Sequence, residues 1–239
     1  MTLANVRTNV SDNLEAADYA DIDSAKLNRW INRSQRWVCK GVLFLPTAEK
    51  IQHDFTFLEA ELEADTVDGQ RRYDLPNATG GILAFKKEIN IELIDYNNYR
   101  KPLVRLDKKE IEDRKKFQDT KDKGTPSHYC IEQNDIWLFP LPDHSVNNDT
   151  AFIINLDYYG WLTDLSDDGD TNWLITNEPE VVEWKATALG LEWQKDALAS
   201  YFNQKAEQAL YELIMDDIAR STGEERGMRP DRGQCIGVH

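Results

Sequence analysis

No apolar run in the 239-residue chain approaches the roughly 18 residues that a membrane-crossing helix requires, so no membrane partner is expected. Positive charge is also scarce. The chain has 28 Lys and Arg against 43 Asp and Glu, a net charge of −15. A protein that grips nucleic acid over a broad surface needs the opposite balance, whereas a surface that a polyanion must slide past is well served by negative charge. Cys39, Cys130 and Cys235 are far apart and have no metal-ligand spacing, which removes the support for a zinc site or a disulfide framework. A phosphate-binding loop, a nucleophile elbow and an HExxH zinc motif are all missing, and Gly80-Gly81 opens no phosphate-binding pattern. His53, His128 and His144 have no sequence neighbours that form a triad or ligand set. No cofactor is expected. Met1–Arg7 lacks the basic-then-apolar order of a secretory signal, which predicts synthesis and use in a cytoplasm.

What is present is a core. Hydrophobic residues make up 41% of the chain, with a mean hydropathy of −0.63. Leu3, Val6, Val10 and Leu14 recur at helical spacing and predict a short amphipathic helix. Asp23 or Ser24 can cap a second helix, whose apolar row is Leu27, Trp30/Ile31, Ser34, Val38 and Val42, and Gly41 and Pro46 end it.

From about Ile51 the period shifts to two. Phe55 and Phe57 alternate with polar residues as in a strand, and Asp68-Gly69 marks a turn. Arg71–Leu75, Ile82–Phe85, Ile89–Ile94 and Leu103–Leu106 read as further strands, with turns at Gly80-Gly81 and Asn97-Asn98. Asp107–Phe117 is expected to be a charged surface helix, followed by a link to Gly124. Three more strands are expected: His128–Glu132, Ile136–Phe139 after a turn at Asn134-Asp135, and Phe152–Tyr159 with Phe152, Ile154, Leu156 and Tyr158 on one face. These three form one antiparallel sheet in this reading, and the helices that follow cover its apolar face.

Thr163–Thr176 reads as an acidic loop. Asn177 is placed to cap a helix, with Pro179 in its first turn and Glu180 closing a capping box. That helix is apolar on two faces, through Val181-Trp184-Ala188-Leu191 and Val182-Ala186-Leu189-Trp193, so it should be sandwiched. A last helix carries Phe202, Ala206, Ala209, Leu210, Leu213, Ile214 and Ile218 and ends at Gly223. The expected fold class is therefore α+β. N- and C-terminal helices form a helical bundle, an antiparallel β-sandwich-like domain is inserted, and a flexible C-terminal tail follows. The expected divisions are 1–48, 49–176, 177–222 and an arm at 223–239 bearing Arg226, Arg229 and Arg232.

Two stretches compete for a functional role. Asp164, Ser166, Asp168 and Gly169 match the first positions of a calcium loop, but Ile175 stands where the bidentate Glu belongs and a strand precedes the loop. Asp164, Asp168 and Asp170 are thus weak metal candidates, whose alternative is an acidic solvated loop. The stronger signal is surplus aromatic surface: Trp184, Trp193, Tyr201, Phe202 and Tyr211 extend the apolar faces of the last two helices beyond what a small domain can cover. Burying such a side chain contributes roughly 1.5–3 kcal/mol, so self-association is the natural outlet.

The order of motifs then becomes informative. Tyr73-Asp74-Leu75-Pro76 precedes Gly124-Thr125-Pro126-Ser127-His128-Tyr129 and Ile136-Trp137-Leu138-Phe139-Pro140-Leu141-Pro142. Leu156-Asp157-Tyr158-Tyr159, Asp170-Thr171-Asn172-Trp173 and an Ala-rich helix pair with Trp193 follow. Together these resemble head-to-tail adaptor (connector) proteins of tailed bacteriophages, and the helix pair is similar to the tail tubular adaptor of short-tailed phages. The resemblance implies a twelve-fold homo-oligomeric ring beneath the portal protein in the virion, at the head–tail junction. It implies a C-terminal segment that docks on the portal, with Arg226, Arg229 and Arg232 as candidate contacts. It also implies a channel through which DNA passes without specific binding, and a platform for a tail or nozzle protein. It implies no catalytic residue. The alternatives are another tail-completion or nozzle-side structural protein, and, from the residues alone, a metal-dependent hydrolase using the Asp164–Asp170 loop.

Overall fold

The structure, a computed structural model, describes residues 1–14, 22–44, 49–77, 83–107, 109–110 and 122–222. The chain divides into two compact units: Met1–Phe57 with Asp164–His239, and Leu58–Thr163. Each has its own core, and the class is mixed α+β.

The first unit is helical. It contains α1 (Leu3–Asn13), α2 (Ser24–Lys40), α3 (Trp173–Asn177), α4 (Pro179–Gln194) and α5 (Ala199–Ser221), with a ribbon of β1 (Val42–Phe44) and β2 (Lys50–Gln52). The Asp23 carboxylate accepts from the Lys26 N–H at 2.7 Å, which starts α2. Gly41 ends α2 at φ 59°, and a Cβ there would lie 1.8 Å from the His53 carbonyl oxygen. At the centre, α4 is in contact with α1, α2, α3 and α5, which explains why its apolar residues cover two faces. Val181, Val182, Ala186 and Ala188 are fully enclosed. Gly190 lets the layers close: a Cβ there would stand 2.9 Å from both Leu14 methyls and 3.1 Å from the Trp30 ring.

Three expectations for this unit are corrected. Phe55–Leu58 is not a strand, because Thr56–Leu58 forms a 3-10 turn held from α5. The acidic loop does not run to Thr176, because Asn172 accepts from the Ile175 N–H at 3.1 Å and starts the short α3, burying Leu174 and Ile175. Asn177 therefore ends α3 rather than capping α4, and donates from Nδ2 to the Trp173 carbonyl at 2.8 Å. Glu178 is the residue before α4, without a side-chain cap.

The second unit holds β3 (Glu59–Asp65), β4 (Arg72–Asp74), β5 (Ala84–Ile94), β6 (Arg100–Pro102), β7 (Val104–Arg105), β8 (Lys123–Gly124), β9 (His128–Glu132), β10 (Asp135–Phe139), β11 (Leu141–Pro142) and β12 (Ile153–Trp161). One sheet has the order β4-β10-β9-β7 and another β3-β12-β5-β6, while β8 and β11 pair apart. Tyr73, Tyr129, Ile136 and Leu138 from the first share one core with Ile91, Leu93, Ile154, Leu156 and Tyr158 from the second.

The three late strands therefore do not form one sheet. The β9–β10 hairpin belongs to one sheet and β12 to the other, and the apolar face of β12 is covered by the first sheet rather than by helices. The connection includes a 3-10 turn, His144–Asn147, and two left-handed residues, Asn148 and Asp149, which give the chain room to change sheets. The turn before β10 falls at Gln133-Asn134, with Gln133 at φ 59°. Pairing is not antiparallel throughout: β7–β9 and β8–β11 are short parallel pairs. The separate strands expected at Ile82–Phe85 and Ile89–Ile94 merge in β5, which runs unbroken beside β12 through two register shifts. The strand β3 was not expected. The turn at Gly80-Gly81, most of Asp107–Phe117 and all of 223–239 lie outside the described residues.

Candidate assembly surface

The helical hairpin α4–α5 carries the aromatic candidates. Lys195 closes its turn in the left-handed conformation, Asp196 N–H donates to the Leu191 carbonyl at 2.9 Å, and Leu198 N–H donates to the Asp196 carboxylate at 2.8 Å. Asn203 ties the helices together, accepting from Lys185 Nζ at 2.6 Å and donating to Glu192 Oε1 at 2.8 Å. Burial pushes the Lys185 ammonium below its ordinary pKa, and the nearby Glu192 and Glu207 oppose that shift.

Four of the five aromatic candidates meet as two groups. Lys205 stands over Tyr201 at 4.8 Å, Trp184 at 5.4 Å and Phe202 at 5.9 Å, and Tyr201 meets Phe202 edge-on at 5.4 Å. Trp193 lies 6.2 Å from Trp30 with Lys26 over its ring at 4.8 Å. Even so, Trp193 is 52% exposed and Tyr201 50%, and Leu198, Tyr211 and Ile218 are exposed on the same hairpin. Trp184 and Phe202 are half-buried. The hairpin leaves more apolar and aromatic surface exposed than its own unit covers.

The acidic loop is placed differently from a metal site. Asp164 pairs with Arg36 of α2 at 2.6 Å, and Asp168 pairs with Arg7 of α1. Asp170 accepts from the backbone N–H groups of Ser166 and Asp167 at 2.7 and 2.8 Å, which hold its carboxyl below the usual range. The loop also receives the start of α1: Leu3 N–H donates to the Asp170 carbonyl at 2.9 Å and Ala4 N–H to the Asp168 carbonyl at 3.2 Å. Each of the three carboxylates serves as a fastener, and among the described residues no group of three His, Cys, Asp or Glu is arranged to hold a metal.

One cluster was invisible in the sequence. Asp217 of α5 is 2% exposed and is joined to His53 Nε2 at 2.7 Å, to the Thr56 N–H at 3.0 Å and to the Thr56 hydroxyl at 2.5 Å. Burial alone would raise its pKa, but the hydrogen bonds from Thr56 and His53 outweigh it and the net shift is downward. The hydroxyl binds Asp217 rather than the imidazole, so the geometry is a clasp that holds the Thr56–Leu58 turn to α5. The signal available in the sequence was a carboxylate, Asp217, amid the apolar row of the last helix.

Elsewhere among the described residues, the His128 ring meets the Ser127 hydroxyl at 2.8 Å and the His144 ring meets the Thr66 hydroxyl at 3.0 Å. No described helix is long and apolar enough to cross a membrane. Arg226, Arg229 and Arg232 lie outside the described residues. A family model described as SU10 adaptor protein matches residues 1–233. No curated protein matches the chain.

Proposed function

The chain belongs to the SU10 adaptor protein family, a phage head-to-tail adaptor family, and from that premise we propose that it is a structural subunit of a ring beneath the portal. In this reading the ring extends the DNA channel, helps to retain the packaged genome and offers a platform for the tail or nozzle protein. The match across residues 1–233 is the observation that carries the proposal. The exposed aromatic residues of α4–α5 support it: a ring needs one patch on each subunit to meet a different patch on its neighbour. Trp184, Trp193, Tyr201, Phe202 and Tyr211 are assigned to that contact. The helical unit, built from Met1–Phe57 and the chain from Asp164 onward, acts as a bundle that forms the ring. The β-rich unit, Leu58–Thr163, is its sandwich-like insertion. Residues 223–239 are the arm that meets the portal, through Arg226, Arg229 and Arg232. The net charge of −15 suits a channel wall that DNA must not grip.

Cryo-EM of the particle tests the reading. The expected result is a twelve-fold ring, with this chain directly under the portal and α4–α5 at the subunit boundary. Density farther down the tail would move the assignment to a nozzle-side protein. Particles that package stably and join tails without this chain would overturn the adaptor role.

A further inference from the structure

The sheet β3-β12-β5-β6 has a second face that the adaptor reading leaves without a role. Ala60 and Leu62 point into the core, so the alternate residues of β3 point outward. Register places Glu61 opposite Asp157, and Asn155 between Glu63 and Glu92. Glu59 and Asp65 extend the acidic row along the edge strand. Among the described residues Arg100 stands 3.5 Å from Glu92 and 3.8 Å from Glu63, both longer than a hydrogen bond, and Lys87 lies opposite Tyr159 farther along. The Asp157 carboxyl is raised from its ordinary pKa by burial first, then by Glu61 and Glu92, with Arg100 opposing. The face holds more negative charge than it neutralises.

A second observation shows what is missing. Asn155 is 1% exposed, and its Oδ1 has no hydrogen-bond partner. A buried acceptor left unpaired is destabilising, and carboxylate neighbours cannot satisfy it because they have no proton to give. A group with several N–H donors and a positive charge satisfies both the acceptor and the carboxylates, which describes a guanidinium or an ammonium. The edge adds a third element. β3 is the end strand of its sheet and pairs with β12 on one side, so an extended segment can lie along its other side.

We propose that the outer face of β3 and β12, together with the outer edge of β3, is a docking surface for an extended, arginine- or lysine-bearing segment of another polypeptide, whose cationic groups sit beside Glu61, Glu63 and Asp157 and donate to Asn155 Oδ1. The inference goes beyond the adaptor reading, and its test uses the isolated chain, so its failure leaves that reading untouched.

The test measures fluorescence anisotropy of a labelled hexa-arginine peptide with the full-length protein at fixed ionic strength. Glu61→Gln with Glu63→Gln should weaken binding about tenfold. Glu207→Gln with Glu212→Gln removes the same charge from exposed positions of α5 and should leave binding within about twofold. Asn155→Leu should weaken binding about threefold without lowering the melting temperature, because it removes an acceptor that has no partner in the free protein. Equal losses in both glutamate pairs would reduce the effect to net charge and overturn the proposal. Displacement of the peptide by millimolar Ca2+, but not by Na+ of equal ionic strength, would overturn it in favour of an inorganic-ion site.

Discussion

Removing the Asp217 carboxylate should loosen the helical unit more than removing any other charge described above. Asp217→Ala takes away the acceptor for the Thr56 N–H, the Thr56 hydroxyl and His53 Nε2 together. Hydrogen bonds to a charged acceptor contribute roughly 1.5–3 kcal/mol each. Two effects reduce the sum: Thr56 is exposed and regains water, and the buried carboxylate no longer carries its desolvation cost. The net loss is about 3 kcal/mol. With a urea m-value of about 2.5 kcal/mol/M, the midpoint falls by about 1.2 M. Tryptophan fluorescence is weighted towards the correct unit, because five of the seven tryptophans, Trp30, Trp37, Trp173, Trp184 and Trp193, lie in it. The pH dependence gives a separate check. Because the folded pKa of Asp217 is lowered, its contribution is present above the unfolded value of about 3.9 and is lost as pH falls through the folded value. Wild type should therefore lose stability on acidification in that window, and Asp217→Asn should show a shallower loss. A midpoint for Asp217→Ala within about 0.2 M of wild type would refute the clasp.

Gly190→Ala should destabilise the same unit by about 1–3 kcal/mol through overpacking against Leu14 and Trp30, read as a lower urea midpoint. Asp168→Ala should shift stability by no more than about 1 kcal/mol, since the carboxylate that pairs with Arg7 is exposed, and calorimetry with Ca2+ should show no saturable binding in either protein. Tight binding in wild type that vanished in the variant would revive the metal reading. Truncation after Gly223 should leave the circular dichroism melt unchanged while weakening portal capture, and full capture by the truncated chain would remove the arm from the docking role.

The helices were legible because period and punctuation agreed. Leu3, Val6 and Val10 lie on one face of α1, and Asp23 and Gly41 bracket α2 as their side-chain and backbone chemistry requires. The sheets were less legible for a physical reason. Glu59-Ala60-Glu61-Leu62-Glu63-Ala64-Asp65 has residues that favour helix, and its strand form follows from pairing with β12 nearly a hundred residues later. The assignment of β12 to a different sheet from β9 and β10 was equally non-local, since the alternation of its residues fixes which face is apolar but not what covers it. Of the candidate surface, the aromatic residues could be picked out one by one, but Lys205 at the centre of Trp184, Tyr201 and Phe202 could not. His53 and Asp217 are separated by 164 positions, and no local pattern joins them.

The pairing of Tyr159 with Glu59 brings the two ends of the second unit side by side. During synthesis α1 and α2 emerge first, and α4, which covers them, emerges only after the whole of Leu58–Thr163 has been made. At about 5–20 residues per second that interval lasts several seconds or more. Closing an unfolded loop of roughly 100 residues carries an entropic cost of about 4 kcal/mol. If the inserted strands fold first, that cost is met within their own unit, and the waiting helices then need only bridge a short gap. The ladder that ties the two ends of the insertion thus makes early folding of the insertion the entropically cheaper order of events.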